Sequence, residues 1–346
     1  MSYIICIVLL GFIKGKVSIE SCVRFTTVRK RWFARWFDMD HGVPNATTIS
    51  RALSVTKPQD IIKSVNRFML HLEGVVIEAG LSLDGKTIRA ISELKNECKH
   101  FLSLFSHTTC RILDQEGVYT KENEIPATPR LLSRHTLMGS MITGDALLTQ
   151  TNITQAIKES GGDYLLMVKG NQSGLQDILK TTFKDPLAKT DCDIFHRYRK
   201  TRSIETTITI TKDLDLQDLN DQGWEDIALV GKLERTGVRI HKGNPKHINE
   251  TIYFITSRAS LTSKEAYQFI RNHWHIENKL HWQKDITWKE DRQRSTTGNT
   301  PDILSYLRSL ALSLIRQKYI SVTRAIDTFT EQPSQYLNLL TQLSLV

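Results

Sequence analysis

The sequence contains little cysteine and no close cysteine pair. Its 346 residues include five cysteines, an odd number at wide spacings, and none belongs to a C-x-x-C pair. Closely paired cysteines mark zinc knuckles and disulfide-stapled secreted domains. Neither kind of framework is expected here, and a reducing, cytoplasmic location fits best. The five residues are Cys6, Cys22, Cys98, Cys110 and Cys192.

A long hydrophobic run, an internal repeat and a low-complexity tract are also missing. The most apolar segment, Tyr3–Ile13, is too short to span a bilayer. No basic residue precedes it, and Lys14, Gly15 and Lys16 follow where a secretory signal would have a small-residue cleavage site. We therefore predict that this segment forms a buried helix at the start of a globular domain.

Positive charge is in excess. Lys and Arg number 46 against 37 Asp and Glu, which gives a formal net charge of +9. A positive balance favours a polyanionic partner, because phosphates attract a positive surface at long range. A basic enzyme that binds no nucleic acid is the alternative. The apolar content of 40% is that of an ordinary globular protein with a sizeable core.

The hydrophobic periodicity predicts helices first and a mixed sheet afterwards. Residues 1–75 read as an N-terminal helical region, with a helix opening at Thr56 and Pro58. Within it, Val28–Phe37 mixes cations with aromatics, which suits either a DNA-contacting segment or an amphipathic helix with a basic face. Three strands, then helix, strand, helix and strand follow, an order that matches a ribonuclease-H-like fold: an α/β mixed sheet flanked by helices. The predicted strands are Leu81–Leu83, His100–Ser106, Arg111–Leu113, Ser140–Thr143 and Tyr164–Val168, and the helices are Ile125–His135 and Thr151–Glu159.

Beyond this core the pattern changes twice. Residues 76–185 form the first part of the predicted core, and 186–258 read as a β-rich insertion with strands at Ile204–Thr211, Ile227–Val230 and Thr251–Thr256. Residues 259–320 complete the core with helices over Ser263–Asp285 and Ile303–Ile315, and 321–346 form a C-terminal helical tail.

A formal P-loop match spans Gly80–Thr87 (GLSLDGKT). A P-loop points backbone N–H groups of a small turn-forming loop at phosphates. Here the variable positions alternate like a strand, and Asp84 would place a negative charge among the phosphates. A P-loop nucleotide hydrolase is therefore kept as an alternative function and not as the leading one.

The competing interpretation makes Asp84 a carboxylate at the end of a strand, and Asp145 ends its own predicted strand in the same way. Carboxylates at the ends of neighbouring strands can share divalent cations for phosphoryl transfer, one ion activating the attacking oxygen and the other stabilising the leaving oxygen. Oxygen ligands suit Mg²⁺ or Mn²⁺. For either residue alone, a turn or helix cap is the simpler role.

A third carboxylate has its densest candidate region at Arg271–Trp282. On one helix, His273, Glu277, His281 and Lys284 would fall near a single face. One interpretation is a zinc site of His273, Glu277 and His281, although no H-E-x-x-H motif occurs. The other makes Glu277 a metal ligand, with neighbouring histidines and lysines contacting DNA. A plain surface helix is the third possibility.

At these residues the sequence resembles the H-repeat-associated insertion-sequence transposases, a branch of the DDE class. The resemblance runs from about His41 to Leu314, and the order and spacing of its short motifs make it specific. The motifs are His41–Pro44, Thr48–Arg51, Leu83–Arg89, Asn123–Ala127, Gly144–Leu147, Gly162–Tyr164, Lys169–Gln172 and His273–Asp291.

The resemblance implies a ribonuclease-H-like core with a β insertion before its last catalytic helix. It carries the catalytic and metal-binding acids onto Asp84, Asp145 and Glu277, with two Mg²⁺ or Mn²⁺ ions as cofactors. Related enzymes carry a Tyr-Arg-Glu-Lys signature around the last acid. Lys284 stands where its lysine is expected, whereas Ile270 and His273 replace its tyrosine and arginine, so the signature is incomplete.

The function expected from the resemblance is metal-dependent DNA cleavage and strand transfer by an insertion-sequence transposase. Its expected partners are the element ends, target DNA and a second copy in a synaptic homodimer, and its expected location is the nucleoid. An inactive, DNA-binding relic is the further alternative. The candidate DNA contacts are Lys86, Arg89, Lys169, Asn171, His273, Lys279 and Lys284.

Overall fold

The structure, a computed structural model, describes residues 1–73, 79–88, 100–118, 123–199, 201–214, 216–241 and 244–342. The chain divides into two compact units. The first comprises Met1–Val76, Gly85–Glu122 and His275–Val346, and the second comprises Ile77–Asp84 and Asn123–Trp274.

The first unit is mainly helical. Its early helices begin at polar caps: Ser18 and Ser21 form a reciprocal capping box at α2, and Asn45 caps α4. The helices before the sheet are α1 (Ser2–Ile13), α2 (Ile19–Val28), α3 (Lys30–Phe33), α4 (Ala46–Val55) and α5 (Pro58–Glu73). The prediction of a buried first helix is confirmed, since α1 is buried from Ile7 through Ile13.

The core of this unit forms around the long helix α12 (Thr300–Arg316). Every residue of α12 from Thr300 to Ile315 except Asp302 is buried, as expected for a helix enclosed on all sides. It packs against α1 and, through its apolar residues, belongs to one hydrophobic cluster with α1, α2 and α4. Two amphipathic helices, α13 (Val322–Glu331) and α14 (Pro333–Gln342), close the chain over this core.

Between α12 and the second unit the chain is irregular, where the sequence predicted one helix over Ser263–Asp285. Helix α10 (Ser263–His273) is followed by a π-helical segment, Ile276–His281, which leads directly into α11 (Trp282–Trp288). A short 3₁₀ turn, Glu290–Arg292, follows after Lys289, which adopts a left-handed conformation with φ of 51°. The helical prediction for Ser263–Asp285 is thus largely confirmed, but the chain changes its helical geometry after His273 and does not form one regular α-helix.

In the described part of the chain, nine strands form one mixed sheet in the order β3-β2-β1-β4-β5-β9-β8-β7-β6. Strands β1, β4 and β5 run parallel, β2 pairs antiparallel with β3, and β9 runs antiparallel to β5. The mixed sheet expected from the sequence is thus confirmed. The strands are β1 (Gly80–Thr87), β2 (His100–Ser106), β3 (Ile112–Val118), β4 (Met141–Gly144), β5 (Asp163–Val168), β6 (Thr190–Arg199), β7 (Arg202–Thr211), β8 (Leu229–His241) and β9 (Asn244–Thr256).

In the second unit, helices flank this sheet. Helix α10 (Ser263–His273) lies against strands β4 to β7, and its Ala266 and Ile270 share one hydrophobic cluster with β4, β5 and β7 to β9. The connecting helices are α6 (Glu124–Leu132), α7 (Thr151–Glu159), α8 (Ser173–Thr182) and α9 (Leu216–Asp221). Among the residues that the structure describes, no helix has the length and apolarity to cross a membrane.

Candidate active site

Asp84 lies within strand β1, which continues to Thr87, so its predicted position at a strand end is wrong; Asp145 directly follows the neighbouring parallel strand β4, as predicted. In the pairing of β1 with β4, each residue lies beside the residue 61 positions later: Gly80 beside Met141 and Ser82 beside Thr143. Asp145 follows Asp84 by the same 61 positions, so the register brings the two aspartates together where β4 ends. Adjacent strands lie about 5 Å apart. This is an arrangement in which two carboxylates can share a ligand.

The turn after β4 fixes the orientation of Asp145. One carboxylate oxygen, Oδ1, accepts hydrogen bonds from the Leu147 and Leu148 amides at 3.0 and 3.4 Å, which caps a short 3₁₀ turn, Ala146–Leu148. The residue itself is exposed. The capping role considered for a lone aspartate is therefore present, and the exposure of the residue is compatible with a second role.

The Lys169–Gln172 segment holds this same turn. The Asn171 side-chain amide donates to the Ala146 carbonyl at 2.6 Å, and Gln172 donates to the Thr149 carbonyl at 2.9 Å. Asn171 is thus engaged beside Asp145, while Lys169 is exposed. Within this motif, the side-chain amides of Asn171 and Gln172 hold the turn in place, and Lys169 lies at the surface.

A buried polar network lies beneath the two aspartates. His273, at the C-terminal end of α10, has its Nδ1 3.0 Å from the Thr143 hydroxyl, which itself donates to the Leu81 carbonyl at 3.1 Å. Because that hydroxyl proton is used, the imidazole Nδ1–H is the donor to Thr143. Ser82 completes the network by donating to the His273 carbonyl at 3.5 Å.

Burial makes this histidine a neutral group. Desolvation lowers the pKa of His273 to about 4, although the nearby Asp145 carboxylate opposes the shift. Ser82 and Thr143 lie two residues before Asp84 and Asp145 and therefore share their side of the sheet. His273, predicted as a DNA contact, is buried here as an uncharged support on the aspartate side of the sheet.

Glu277 belongs to the first unit and is exposed. It lies in the π-helical segment, between Ile276 and Leu280, which are both buried in that unit's hydrophobic cluster. Short π-helical insertions are rare and frequently occur at functional sites. The apolar neighbours anchor the segment while the glutamate faces solvent.

Four charged side chains from distant parts of the sequence meet around Glu290, which is fully buried at 0% exposure. Its carboxylate lies 3.0 Å from Lys86 Nζ, 3.1 Å from Lys284 Nζ and 3.7 Å from an Arg308 guanidinium nitrogen. Lys86 also pairs with Asp285 at 2.7 Å. We call Lys86, Lys284, Asp285, Glu290 and Arg308 the buried charge cluster. It joins the end of β1 to α11 and α12.

Burial and charge compete at each member of this cluster. Desolvation would raise the pKa of Glu290, but Lys284, Lys86 and Arg308 outweigh it and hold that pKa far below its usual value. At Lys284 desolvation wins over Glu290 and lowers the pKa to about 8. At Lys86 desolvation is outweighed by Glu290 and Asp285, so its pKa is raised. A carboxylate thus remains ionised inside the core because cations surround it.

The other predicted DNA contacts differ in position. The ammonium groups of Lys86 and Lys284 are engaged in the buried charge cluster. Lys279 is half-buried with its Nζ 3.6 Å from Cys110 Sγ, and Arg89 lies outside the described residues. Among the predicted cations that the structure describes, Lys169 is the exposed one.

Two alternative sites lose their structural basis. Gly80–Thr87 forms one continuous strand, β1, with no loop that could wrap a phosphate, so the P-loop interpretation is wrong. Across the described ranges, no group of three or more His, Cys, Asp or Glu side chains is arranged to hold a metal ion, which applies to Asp84, Asp145 and Glu277 as well as to the zinc set. The zinc interpretation required His273, Glu277 and His281 to share one face of a regular helix. Helix α10 ends at His273 and the helical geometry changes after it, so they do not.

Sequence reasoning missed the role of Glu290 and Arg308. Arg308 is the one charged residue of this helix between Asp302 and Arg316, and a charge among so many apolar residues is a usable signal for a buried ion pair. Its partner could not be identified from the sequence, because Lys86, Glu290 and Arg308 come from separate elements.

Comparison with known proteins identifies the family. The family model of the transposase DDE domain matches residues 78–314. The chain therefore belongs to the DDE transposase family, whose members are DNA-cleaving, divalent-metal-dependent enzymes. The match covers β1, both aspartates, the strands of the sheet and the segment that carries Glu277.

Relatives in Escherichia coli are similar over most of this chain. The "H repeat-associated putative transposase YhhI" and the "Putative protein YbfL" of strain K12 are each 28% identical over 323 residues, covering 91% of this chain and 84% of theirs. The "Putative transposase YncI" of O157:H7 is 29% identical over 328 residues, covering 91% and 82%. The H-repeat resemblance is thereby confirmed.

One solved structure, an S-adenosylmethionine-dependent methyltransferase from Clostridium acetobutylicum ATCC 824, covers 38% of this chain and 46% of its own. Its TM-score is 0.14 and its sequence identity 8%, which are too low to relate the two folds.

Proposed function

We propose that this protein is an insertion-sequence transposase that cleaves DNA at the element ends and joins them to a target, with Asp84, Asp145 and Glu277 as its catalytic acids. The observation that supports this most is the parallel register of β1 with β4, in which Ser82 lies beside Thr143 and each aspartate follows two residues later. Glu277 follows His273 by four residues, a length of chain that reaches at most about 14 Å. His273 itself lies on the aspartate side of the sheet.

The donor set fits a divalent metal of the kind that the family uses. Carboxylate oxygens are the preferred ligands of Mg²⁺ and Mn²⁺, and Asp145 accepts amide hydrogen bonds through Oδ1 only in the contacts described here, which leaves Oδ2 for a cation. Asp84, Asp145 and Glu277 would hold two such ions. When bound, the ions supply activation of the attacking oxygen and stabilisation of the leaving oxygen of the phosphodiester.

The protein's own residues prepare this site. The Leu147 and Leu148 amides hold the Asp145 carboxylate in one orientation, and Asn171 and Gln172 brace the turn that carries those amides. His273 stays uncharged and fixes α10 against β4, so it adds no positive charge that would compete with a cation. Lys169, exposed beside this turn, is placed to bind a DNA phosphate.

The larger architecture follows the same proposal. Three consecutive strands followed by two helix-connected parallel strands support a ribonuclease-H-like core, with residues 186–258 as an insertion. Residues 1–75 would contribute DNA contacts. Because transposition joins two element ends to one target, we also propose that two copies act together in a synaptic homodimer.

The experiment is DNA cleavage by purified protein on a plasmid that carries the DNA flanking its own gene. The single variants D84N, D145N and E277Q should each abolish Mg²⁺-dependent strand cleavage while binding DNA as well as the wild type. The matched control is D177N, which removes an exposed carboxylate of α8 that pairs with Lys180. Surface pairs of this kind contribute little to stability, so D177N should retain full activity.

Each outcome decides a part of the proposal. Full cleavage by D84N or D145N would refute a catalytic site at the two aspartates, and full cleavage by E277Q would remove Glu277 from it. Wild-type protein that binds the flanking DNA but cuts neither strand with Mg²⁺ or Mn²⁺ would identify the inactive relic instead. Glu290 is no substitute acid, because its carboxylate is enclosed by Lys86, Lys284 and Arg308.

A further inference from the structure

Strands β6 to β9 extend well beyond the rest of the sheet. Strand β9 pairs with β5 only over Tyr253–Thr256, whereas it pairs with β8 along its whole length from Asn244. Residues 244–252 of β9 therefore project past β5, a length of about 30 Å at the usual rise of a strand. We call β6–β9 the arm and its outer end, at the β6–β7 and β8–β9 connections, the arm tip.

The register of the arm aligns basic side chains on one face of the tip. Arg199 lies beside Arg202, Arg202 beside Arg239, and Arg239 beside Lys246, which makes a row of four cations across four strands. Directly paired residues on neighbouring strands point to the same side of a sheet. Moving inward by two residues along β6 reaches Arg197, and by four along β8 reaches Arg235, on the same face.

The same face is covered by a helix nearer to the core. There Phe195 of β6 stacks on Tyr267 of α10 at a ring distance of 3.8 Å. At the beginning of α10, the Ser263 hydroxyl oxygen lies 2.9 and 2.6 Å from carboxylate oxygens of Asp191 and Asp193. Helix α10 therefore covers this face only along the inner part of the arm. The cations of the tip occupy the continuation of this face, where Arg199, Arg239 and Lys246 are exposed.

The charges at the tip repel one another. Arg202 has a lowered pKa, first because of desolvation and then because of Arg239, Arg235, Arg197 and Arg199 around it. Its Nε is buried and has no hydrogen-bond partner in the described part of the chain. On this face Glu250 pairs with Arg235 at 3.3 Å, and no described carboxylate pairs with Arg202. Such a cluster costs stability unless a polyanion neutralises it.

We infer that the arm tip is a binding surface for the phosphodiester backbone of duplex DNA. This inference rests on the proposed function, which makes DNA the partner. Guanidinium groups match phosphate oxygens with pairs of hydrogen bonds, and five of the six cations on this face are arginines. Contacts of this kind position a duplex without reading its sequence.

The length of the arm separates this surface from the two aspartates. The projection of about 30 Å is close to one turn of duplex DNA, about 34 Å. A duplex held at both places therefore needs about ten base pairs beyond the scissile position. DNA too short to reach the arm tip loses these contacts and keeps those at the aspartates.

The test compares R199Q/R202Q/R239Q with K180Q/K184Q/K212Q. This control removes the same number of positive charges elsewhere in the second unit, from the half-buried Lys180 and the exposed Lys184 and Lys212. Binding to a fluorescent 40-base-pair duplex is measured from 50 to 300 mM salt. The arm-tip variant should bind about tenfold or more weakly at low salt, and its salt slope should fall by about two to three. The control should lose much less DNA affinity.

A second readout separates binding from folding. Because the arginines repel one another, the arm-tip variant should have a melting temperature equal to or above that of the wild type in low salt. Added salt should raise the melting temperature of the wild type more than that of the variant. Equal losses of DNA affinity in both variants would overturn the inference, as would unchanged affinity and slope in the arm-tip variant. Displacement of the duplex from the wild type by equimolar single-stranded RNA would assign the surface to RNA instead.

Failure of the proposed function gives a different pattern. Wild-type protein that shows the arm-dependent binding but no metal-dependent cleavage of its flanking DNA would contradict the transposase activity and leave the arm-tip surface standing. If R199Q/R202Q/R239Q still cleaves DNA and binds it with unaltered affinity, the transposase activity stands and the arm-tip inference is overturned.

Discussion

Glu290→Gln removes the carboxylate around which the buried charge cluster is organised. The side chain is fully buried and contacts three cations, at 3.0, 3.1 and 3.7 Å. Lys284 can relieve its loss by releasing a proton, since its pKa is already lowered to about 8. Arg308 keeps its proton at any accessible pH, so its buried charge would stay uncompensated. Breaking a buried pair in this way costs about 3–5 kcal/mol.

Urea or guanidinium unfolding of the wild type and E290Q measures this cost. The matched control is E234Q, the same substitution at a glutamate that pairs with Lys232 at 3.0 Å on the surface. Its expected loss is about 1 kcal/mol or less. The double variant E290Q/R308M should lose less than the sum of its single variants, with a coupling of about 1–3 kcal/mol. A loss in E290Q no larger than that in E234Q would refute this view of the cluster.

The remaining predictions concern the second unit. Unfolded His273 titrates near its ordinary value and the folded residue near 4, so the unfolded state binds more protons between those values. The free energy of unfolding should therefore increase by about 3 kcal/mol as the pH rises from about 4 to 6.5. In thermal melts, H273Q should flatten this increase, whereas H41Q, a variant of an exposed histidine, should retain it. Lys169→Ala should lower the salt slope of DNA binding by about one, whereas Lys180→Ala should leave it unchanged. Asn171→Ala should slow cleavage more than it weakens DNA binding, because it loosens the turn after Asp145; equal effects on both would contradict the bracing role.

The parts of the fold that depend on local pattern could be predicted from the sequence. The helix Thr151–Glu159 has the predicted bounds, and β2 matches His100–Ser106, because both carry a clear periodicity over their full length. Strand β6, Thr190–Arg199, was not predicted. Its residues are exposed or half-buried throughout, so the pattern lacks the buried face that identifies a strand.

The candidate site was predictable only where it depends on one segment at a time. Asp145 directly after a strand and a glutamate in a charged helical region are visible in the sequence, whereas the continuation of β1 past Asp84 to Thr87 was not predicted. The pairing of Lys86 with Glu290 joins residues about 200 positions apart, and no local pattern indicates it. The same is true of His273, whose burial against Thr143 depends on how α10 crosses the sheet.

Metal-ligand replacement tests the central claim most directly. Asp84→Cys and Asp145→Cys each exchange a hard oxygen ligand for a thiolate, which Mg²⁺ accepts poorly and Mn²⁺ accepts better. If both aspartates bind the catalytic ions, each cysteine variant should fail to cleave the flanking DNA with Mg²⁺ and regain cleavage with Mn²⁺. The corresponding serine variants, which offer no thiolate, should stay inactive with both metals. Cysteine variants that cut equally well with either metal, or a rescue by Mn²⁺ that the serine variants share, would contradict the claim that these two carboxylates hold the metal.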